Sequence, residues 1–275
     1  MAAAAQAREM GRDLQRREAL SLAFPTALVG CDQLFLVYQP IIDLASGACL
    51  WVEALLRWLH PQLGLVSPAD FIPLVEQSGS MGPLTAKVCE LAFVDLKEWS
   101  RRGHDVGLSV NLSASLLEAD GFIDQLLSAI ARHGLSPGRI ELEITEGVPI
   151  PDVPGARAAL QRLVDFGLRL ALDDFGVGAS GLRYLRDLPA RALKIDRLFV
   201  RELAENPRDQ IIVRAILSLA RALGCRATAE GVETQSALEL LKSWGCDAAQ
   251  GYFICKPIPF ADLIHWLAER GNSLR

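Results

Sequence analysis

From Gln33 onward, short β-type runs alternate with longer helical patterns through the rest of a 275-residue chain. This alternation restricts the fold more than any other feature, because it is the mark of βα units built on a parallel sheet. The predicted strands are Leu34–Ile42, Leu50–Trp58, Gly107–Leu112, Ile140–Ile144, Arg169–Asp173, Ala192–Ile195, Arg226–Glu230 and Ala248–Tyr252, eight in all. The helical stretches carry their own signals. Asn206 before Pro207 reads as an N-cap and first-turn proline, Ile212, Ile216, Leu219 and Leu223 form one apolar face, and Gly224 supplies the stop. Eight strands, each followed by a helix, predict a (β/α)8 barrel of the α/β class, a fold that occupies about 250 residues as one unit. The first two strands are joined by only "DLASGAC" (residues 43–49), too short for a parallel crossover. The expectation is therefore a modified TIM-type (β/α)8 barrel with the first strand antiparallel to the rest.

Composition narrows the partners. With 51% hydrophobic residues the chain can bury a large core, and a net charge of −5 gives no basic face for a nucleic-acid polymer. An anionic small substrate is compatible with this if a metal or a few basic side chains act locally. Six cysteines, Cys31, Cys49, Cys89, Cys225, Cys246 and Cys255, are scattered without a CxxC pair and read as reduced thiols of a cytoplasmic protein. Residues 1–20, rich in Ala, Arg and Glu without a clear apolar face, read as a helical lead-in or linker, and residues 21–275 as the folded domain. "ALSLAFPTALVGC" imitates the end of a lipoprotein signal. Asp13 and Glu18 in its basic region, Pro25 within it and a strand starting at Gln33 argue against that. No run approaches the roughly 18 apolar residues needed to span a bilayer, so no membrane contact is expected from this segment.

Active sites of such barrels gather at the C-terminal strand ends. The residues there are Gln39, Glu53, Asn111, Glu143, Asp173 with Asp174, Lys194 with Asp196, Glu230, and Gln250. A lone acid at a strand end is most often a helix N-cap or a solvated group. Eight coincident polar ends are another matter, because a purely structural strand would offer Val or Ile. Glu53, Glu143, Asp173, Asp174 and Glu230 would repel one another, and Lys194 alone cannot compensate. Divalent cations can. An all-oxygen set including the Asn111 amide suits Mg²⁺ or Mn²⁺, since no His or Cys joins it; His60, His104, His133 and His265 lie away from the strand ends. The chemistry this implies is two-metal activation of water against a phosphate ester. Asp174-Phe175-Gly176 and Gly176-Val177-Gly178 lack the contexts of a kinase or a dinucleotide fingerprint and are chance matches.

The ordered motifs "YQPIIDL" (Tyr38–Leu44), "EALLRW" (Glu53–Trp58), "SVNLSA" (Ser109–Ala114), "ELEITEG" (Glu141–Gly147), "LDDFG" (Leu172–Gly176), "LKIDRLFV" (Leu193–Val200), "AEGVET" (Ala229–Thr234) and "AQGYFICKPIP" (Ala249–Pro259) resemble the EAL-domain cyclic di-GMP phosphodiesterases. The resemblance implies hydrolysis of cyclic di-GMP to linear pGpG with two Mg²⁺ or Mn²⁺ ions. It implies a first metal site of Glu53, Asn111, Glu143 and Asp173 and a second of Asp173, Asp174 and Glu230. It assigns Lys194 to the attacking water, Glu230 also to general base, and Glu146 to anchoring the loop after the double aspartate. Gln39, Leu55 and Arg57 match positions that hold the substrate's phosphate and guanine ends, Glu233 and Gln250 match further pocket residues, and Asp196 joins them as a substrate-side candidate. A homodimer and an upstream sensory or GGDEF domain are implied as well.

The loop from Val177 to Gly181 departs from the family pattern. The usual hydroxyl and aromatic are replaced by Val177 and Ala179, and Gly181 adds backbone freedom. The second function this admits is a cyclic di-GMP receptor with little or no turnover.

Overall fold

Asp43 closes the first strand with a tight turn: its N–H donates to the Ala48 carbonyl at 2.8 Å, while Ser46 donates to Asp43 Oδ1 through N and Oγ at 2.7 and 2.6 Å. Gly47 in this turn takes φ 76°, where a side chain would be strained. The chain therefore reverses at once, and β1 (Leu34–Asp43) runs antiparallel to the last strand, with Ile42 opposite Ala249. The remaining barrel strands are β2 (Cys49–His60), β4 (Gly107–Asn111), β5 (Ile140–Thr145), β6 (Arg169–Phe175), β7 (Ala192–Ile195), β8 (Arg226–Ala229) and β9 (Ala248–Ala249); each is parallel to its successor in the order 2-4-5-6-7-8-9. Pairing of β1 with both β9 and β2 closes the barrel. The predicted fold, with its antiparallel first strand, is the observed one.

The structure, a computed structural model, describes residues 2–30, 32–145, 154–178, 185 and 188–273. Helices within them are α1 (Ala2–Val29), α2 (Pro68–Gln77), α3 (Met81–Arg101), α4 (Phe122–His133), α5 (Pro154–Asp165), α6 (Arg197–Val200), α7 (Pro207–Leu223), α8 (Gln235–Ser243) and α9 (Phe260–Ser273). One strand is additional to those predicted: β3 (Gly64–Val66) folds back on β2, with Trp58 opposite Val66. Three residues are too few to show a period in the sequence.

The chain divides into two compact units, Met1–Leu36 with Leu56–Leu91, and Val37–Leu55 with Ala92–Arg275. In the smaller, α1 is continuous past residue 20 and buries Leu20, Phe24 and Ala27. Phe24 meets Trp58 edge-on at 5.8 Å and Trp58 meets Phe71 at 5.4 Å. Lys87 Nζ donates to the Leu28 carbonyl at 2.8 Å and to that of Gly30, satisfying the end of α1.

The larger unit holds the barrel. Its helix α7 has the predicted Asn206 cap, accepting from Arg208 N at 3.0 Å, and stops at Gly224 with φ 67°. Its buried face, however, is Val213, Ile216, Leu217 and Ala220, while Ile212 and Leu223 are exposed. Two overlapping i, i+4 series fit the same segment, and the one that includes the small Ala220 turns inward.

The barrel interior is polar even at the N-terminal end of its strands. Arg226 Nη2 pairs with both oxygens of Glu141 at 2.9 and 3.1 Å, and Ser109 Oγ donates to Glu141 at 3.3 Å. Arg169 and Arg226 lie over the Trp51 ring at 5.1 and 5.3 Å. A Cβ at Gly107, opposite Trp51, would come within 2.4 Å of that ring, so the indole fits only because Gly107 carries no side chain. Glu141 is 2% exposed, and an unpaired charge there is severely destabilising. Arg226→Met is expected to lower unfolding free energy by about 3 kcal/mol in urea titrations, with part restored by adding Glu141→Gln; a loss under about 1 kcal/mol would show that the pair does not hold the barrel floor.

Candidate active site

Alternate residues of a strand share a face, so the residues two beyond the floor layer point to the mouth. Glu53 lies opposite Ser109, two residues before Asn111, and Asn111 lies opposite Glu143, so Asn111 and Glu143 stand level with each other and about two residues above Glu53. Asp173, opposite Thr145, stands two residues higher again. Asn111 Nδ2 donates to Glu53 Oε1 at 3.0 Å. At the centre stands Lys194. Its Nζ is 2.6 Å from Glu230 Oε1, 2.8 Å from Glu143 Oε2, 3.1 Å from Asp173 Oδ1 and 3.6 Å from Glu53 Oε2.

Adjacent residues of a regular strand face opposite sides, which would send Asp173 and Asp174 apart. A bulge resolves this. Leu172 pairs with Leu193 and Phe175 with Ile195, so three steps on β6 face two on β7, and Asp174 takes φ 53°. The extra residue re-aims Asp174, and carboxylate oxygens of Asp173, Asp174 and Glu230 come within 4.8 Å of one another. A positive φ at a non-glycine residue costs on the order of 1–3 kcal/mol and collects at functional sites. The adjacent Gly176 holds φ 104°, and a Cβ there would come 2.8 Å from the Phe199 ring.

Burial raises Glu143 well above the usual carboxylate range, with Glu53, Asp173 and Glu230 adding to it against Lys194. Glu230 is raised by burial and by Asp173 and Glu53. Burial acts the same way on Glu53, but Lys194 and the amides of Gln250 and Asn111 outweigh it, and its pKa is lowered. Lys194 is held well above its ordinary value because four carboxylates overcome its burial. Asp174 is pushed up to about 7 by burial and by Asp173 and Asp196. Among the described residues, five acids thus share one cation. Both Glu143 oxygens, Asp173 Oδ1 and Lys194 Nζ are buried without a well-directed hydrogen bond. An oxygen-rich, under-neutralised cluster of this kind fits hard divalent cations.

Asp196 caps α6, accepting from Leu198 N at 2.6 Å, beside Asp174. Leu55 is half-buried on β2, and Glu233 is exposed three residues past Glu230. Arg57 follows on the part of β2 that belongs to the smaller unit, and its Nη1 donates to the Leu56 carbonyl at 2.8 Å. Gln39 and Gln250 are buried, and the Gln250 amide donates both to Gln39 Oε1 and to Glu53 Oε2. Glu146 and residues 179–184 lie outside the described residues; Val177, before them, is 56% exposed. Sequence reasoning missed the bulge and the Glu141–Arg226 floor. An arginine two positions before Thr228, on the inward face, was the available signal for the second.

The sequence profile of the EAL domain matches residues 21–257. The chain belongs to the EAL domain family. This EAL domain is 42% identical over 254 residues to a cyclic di-GMP phosphodiesterase of Pseudomonas aeruginosa, covering 92% of this chain and 43% of that protein. It is 41% identical over 233 residues to the bifunctional diguanylate cyclase/cyclic di-GMP phosphodiesterase MucR of the same species, covering 84% and 34%. It thus spans less than half the length of the curated relatives it matches. Among solved structures, MucR phosphodiesterase in complex with c-di-GMP superposes with TM-score 0.84 at 40% identity, covering 89% of this chain and 99% of that one. The FimX EAL domain from Pseudomonas aeruginosa bound to c-di-GMP gives 0.79 at 26%, covering 87% and 96%.

A carboxyl with a raised native pKa binds its proton more tightly folded than unfolded, so its ionisation opposes folding. In EDTA, stability is expected to fall as pH rises from about 4, the unfolded value for Asp, to about 7, the folded value for Asp174. Asp174→Asn should flatten that fall in thermal melts taken across this window; an unchanged slope would show that Asp174 is not the group responsible.

Proposed function

We propose that this EAL domain hydrolyses cyclic di-GMP to linear pGpG, adding one water across a single phosphodiester bond. The observation that carries this is Lys194, sealed among Glu53, Glu143, Asp173 and Glu230 at the mouth of a barrel, with Asp174 turned into the same mouth by a bulge. Glu53, Asn111, Glu143 and Asp173 would hold one Mg²⁺ or Mn²⁺, and Asp173, Asp174 and Glu230 a second. When bound, the ions supply positive charge at the phosphate oxygens and acidify the attacking water. The Lys194 ammonium donates to that water and orients it, and Glu230, whose affinity for a proton is raised by burial, takes the proton released. Arg57, Leu55, Asp196 and Glu233 are assigned to the dinucleotide, Arg57 to a phosphate because its planar fork matches phosphate oxygens. Glu146 is assigned to the loop after Asp174.

The names of the curated relatives support this reading, and so does the c-di-GMP held by two similar structures. We assign residues 21–275 to the phosphodiesterase unit, a choice the start of the family match at residue 21 supports. Residues 1–20 would then be the lead-in from an upstream sensory or diguanylate cyclase (GGDEF) domain, as the bifunctional name of MucR suggests. Among the described residues no helix is long and apolar enough to cross a membrane. A cytoplasmic homodimer is the assigned state. One observation favours a second function, a receptor that binds cyclic di-GMP without turnover: Val177 stands exposed where the family carries a hydroxyl.

The purified chain with cyclic di-GMP and Mg²⁺ or Mn²⁺ is expected to release pGpG, followed by chromatography. Glu53→Ala should abolish it, and Lys194→Met should lower kcat by about 100-fold or more with a smaller change in KM. Tight binding in Ca²⁺ without product would select the receptor; neither binding nor product would sink both.

A further inference from the structure

Gln39 Nε2 donates to the backbone carbonyl of Cys255 at 3.0 Å. A carbonyl only accepts, so this contact dictates which end of the Gln39 amide faces which way. Gln39 Oε1 is left facing Gln250, whose Nε2 donates one hydrogen to it at 3.0 Å and the other to Glu53 Oε2 at 2.8 Å. The second Glu53 oxygen accepts from Asn111. A single backbone carbonyl therefore sets the sense of two amides in series, and they end on a carboxylate. Gln39 and Gln250 are 8% and 3% exposed, which leaves water little chance to replace either bond.

The turn at the head of this relay is locked in place. A Cβ at Gly251 would lie 2.1 Å from the Val232 carbonyl oxygen and 2.2 Å from its nitrogen, so only glycine permits the approach. Val232 N donates to the Gln250 carbonyl and Phe253 N to the Val232 carbonyl, both at 3.0 Å. Cys255 N, in turn, donates to the Gly251 carbonyl at 3.0 Å, which holds the Cys255 carbonyl under Gln39. Val232 follows Glu230 by two residues. One rigid turn thus grips the chain leaving Glu230 and, through two glutamines, the carboxylate of Glu53.

We propose that Gln39 and Gln250 are positioning residues, an amide relay from the Cys255 carbonyl that fixes the carboxylate plane of Glu53 for a divalent cation. The inference rests on the metal reading given under Proposed function. It differs from a role in touching the dinucleotide, because the relay must matter before any nucleotide arrives. Groups that orient metal ligands typically change metal affinity by about 10- to 100-fold when removed.

The test is Mn²⁺ titration calorimetry on nucleotide-free protein, comparing wild type with Gln39→Met and Gln250→Met, which keep the side-chain length and remove the amide. Both variants are expected to bind Mn²⁺ about tenfold more weakly or worse, and the double variant to be no weaker than the worse single one, because the bonds act in series. Thermal unfolding in EDTA checks that the variants fold, and Gln39→Met, which leaves both direct partners of Glu53 in place, carries the test if Gln250→Met does not. Wild-type Mn²⁺ affinity in the variants, with cyclic di-GMP binding in Ca²⁺ weakened, would overturn the relay alone. A wild type that takes up no Mn²⁺ would overturn the metal reading and the relay together.

Discussion

The arrangement of the barrel mouth depends on one buried ammonium. Lys194 is 1% exposed, and four carboxylates lie within 3.6 Å of it. A lysine enclosed without partners would lose its charge, and these acids enclosed without it would take up protons. The carboxylates keep Lys194 charged, and Lys194 in turn opposes the proton uptake that burial favours in Glu53, Glu143 and Glu230. That mutual dependence lets five strands present polar groups where hydrophobic residues would otherwise close the barrel. The balance is incomplete, since among the described residues five acids face one lysine, and burial pulls Glu143, Glu230 and Asp174 toward their protonated forms. The proposed cations answer that deficit.

Two backbone devices bring the acids into range. The β6 bulge gives Asp174 a positive φ and aims it toward Asp173 and Glu230, which a regular strand would not do. The Gly251 turn clamps the chain beyond Glu230 through Val232. Beneath both, the Glu141–Arg226 pair and the arginine-flanked Trp51 fill the barrel floor, so the polar mouth rests on a second polar layer instead of an aliphatic one.

Much of this was legible in the sequence because strand-end polarity is a local signal. A Glu or Lys where Val is expected shows at single-residue resolution, and a seven-residue connection excludes a crossover regardless of context. The antiparallel first strand and the convergence of Glu53, Glu143, Asp173, Asp174, Lys194 and Glu230 followed from those two rules. The inward face of α7 did not, because Ile212 and Val213 both continue an apolar series and only tertiary packing chooses between them. The bulge was equally hidden: "LDDF" reads as an alternation defect, and its meaning lies in the register against β7. Gln39 and Gln250 were visible as polar strand ends, yet that Gln250 bonds both Gln39 and Glu53 depends on the 250–255 turn closing over residue 232, a contact across eighteen residues of chain from Val232 to Gln250.

The acids at the mouth are proposed as an oxygen cage for two cations. Anomalous diffraction from crystals of the protein grown with Mn²⁺ tests it most directly. Two peaks are expected, one against Glu53, Asn111, Glu143 and Asp173 and one against Asp173, Asp174 and Glu230, with Lys194 still beside them. A mouth free of anomalous signal at saturating Mn²⁺, with Lys194 alone pairing the carboxylates, would contradict it.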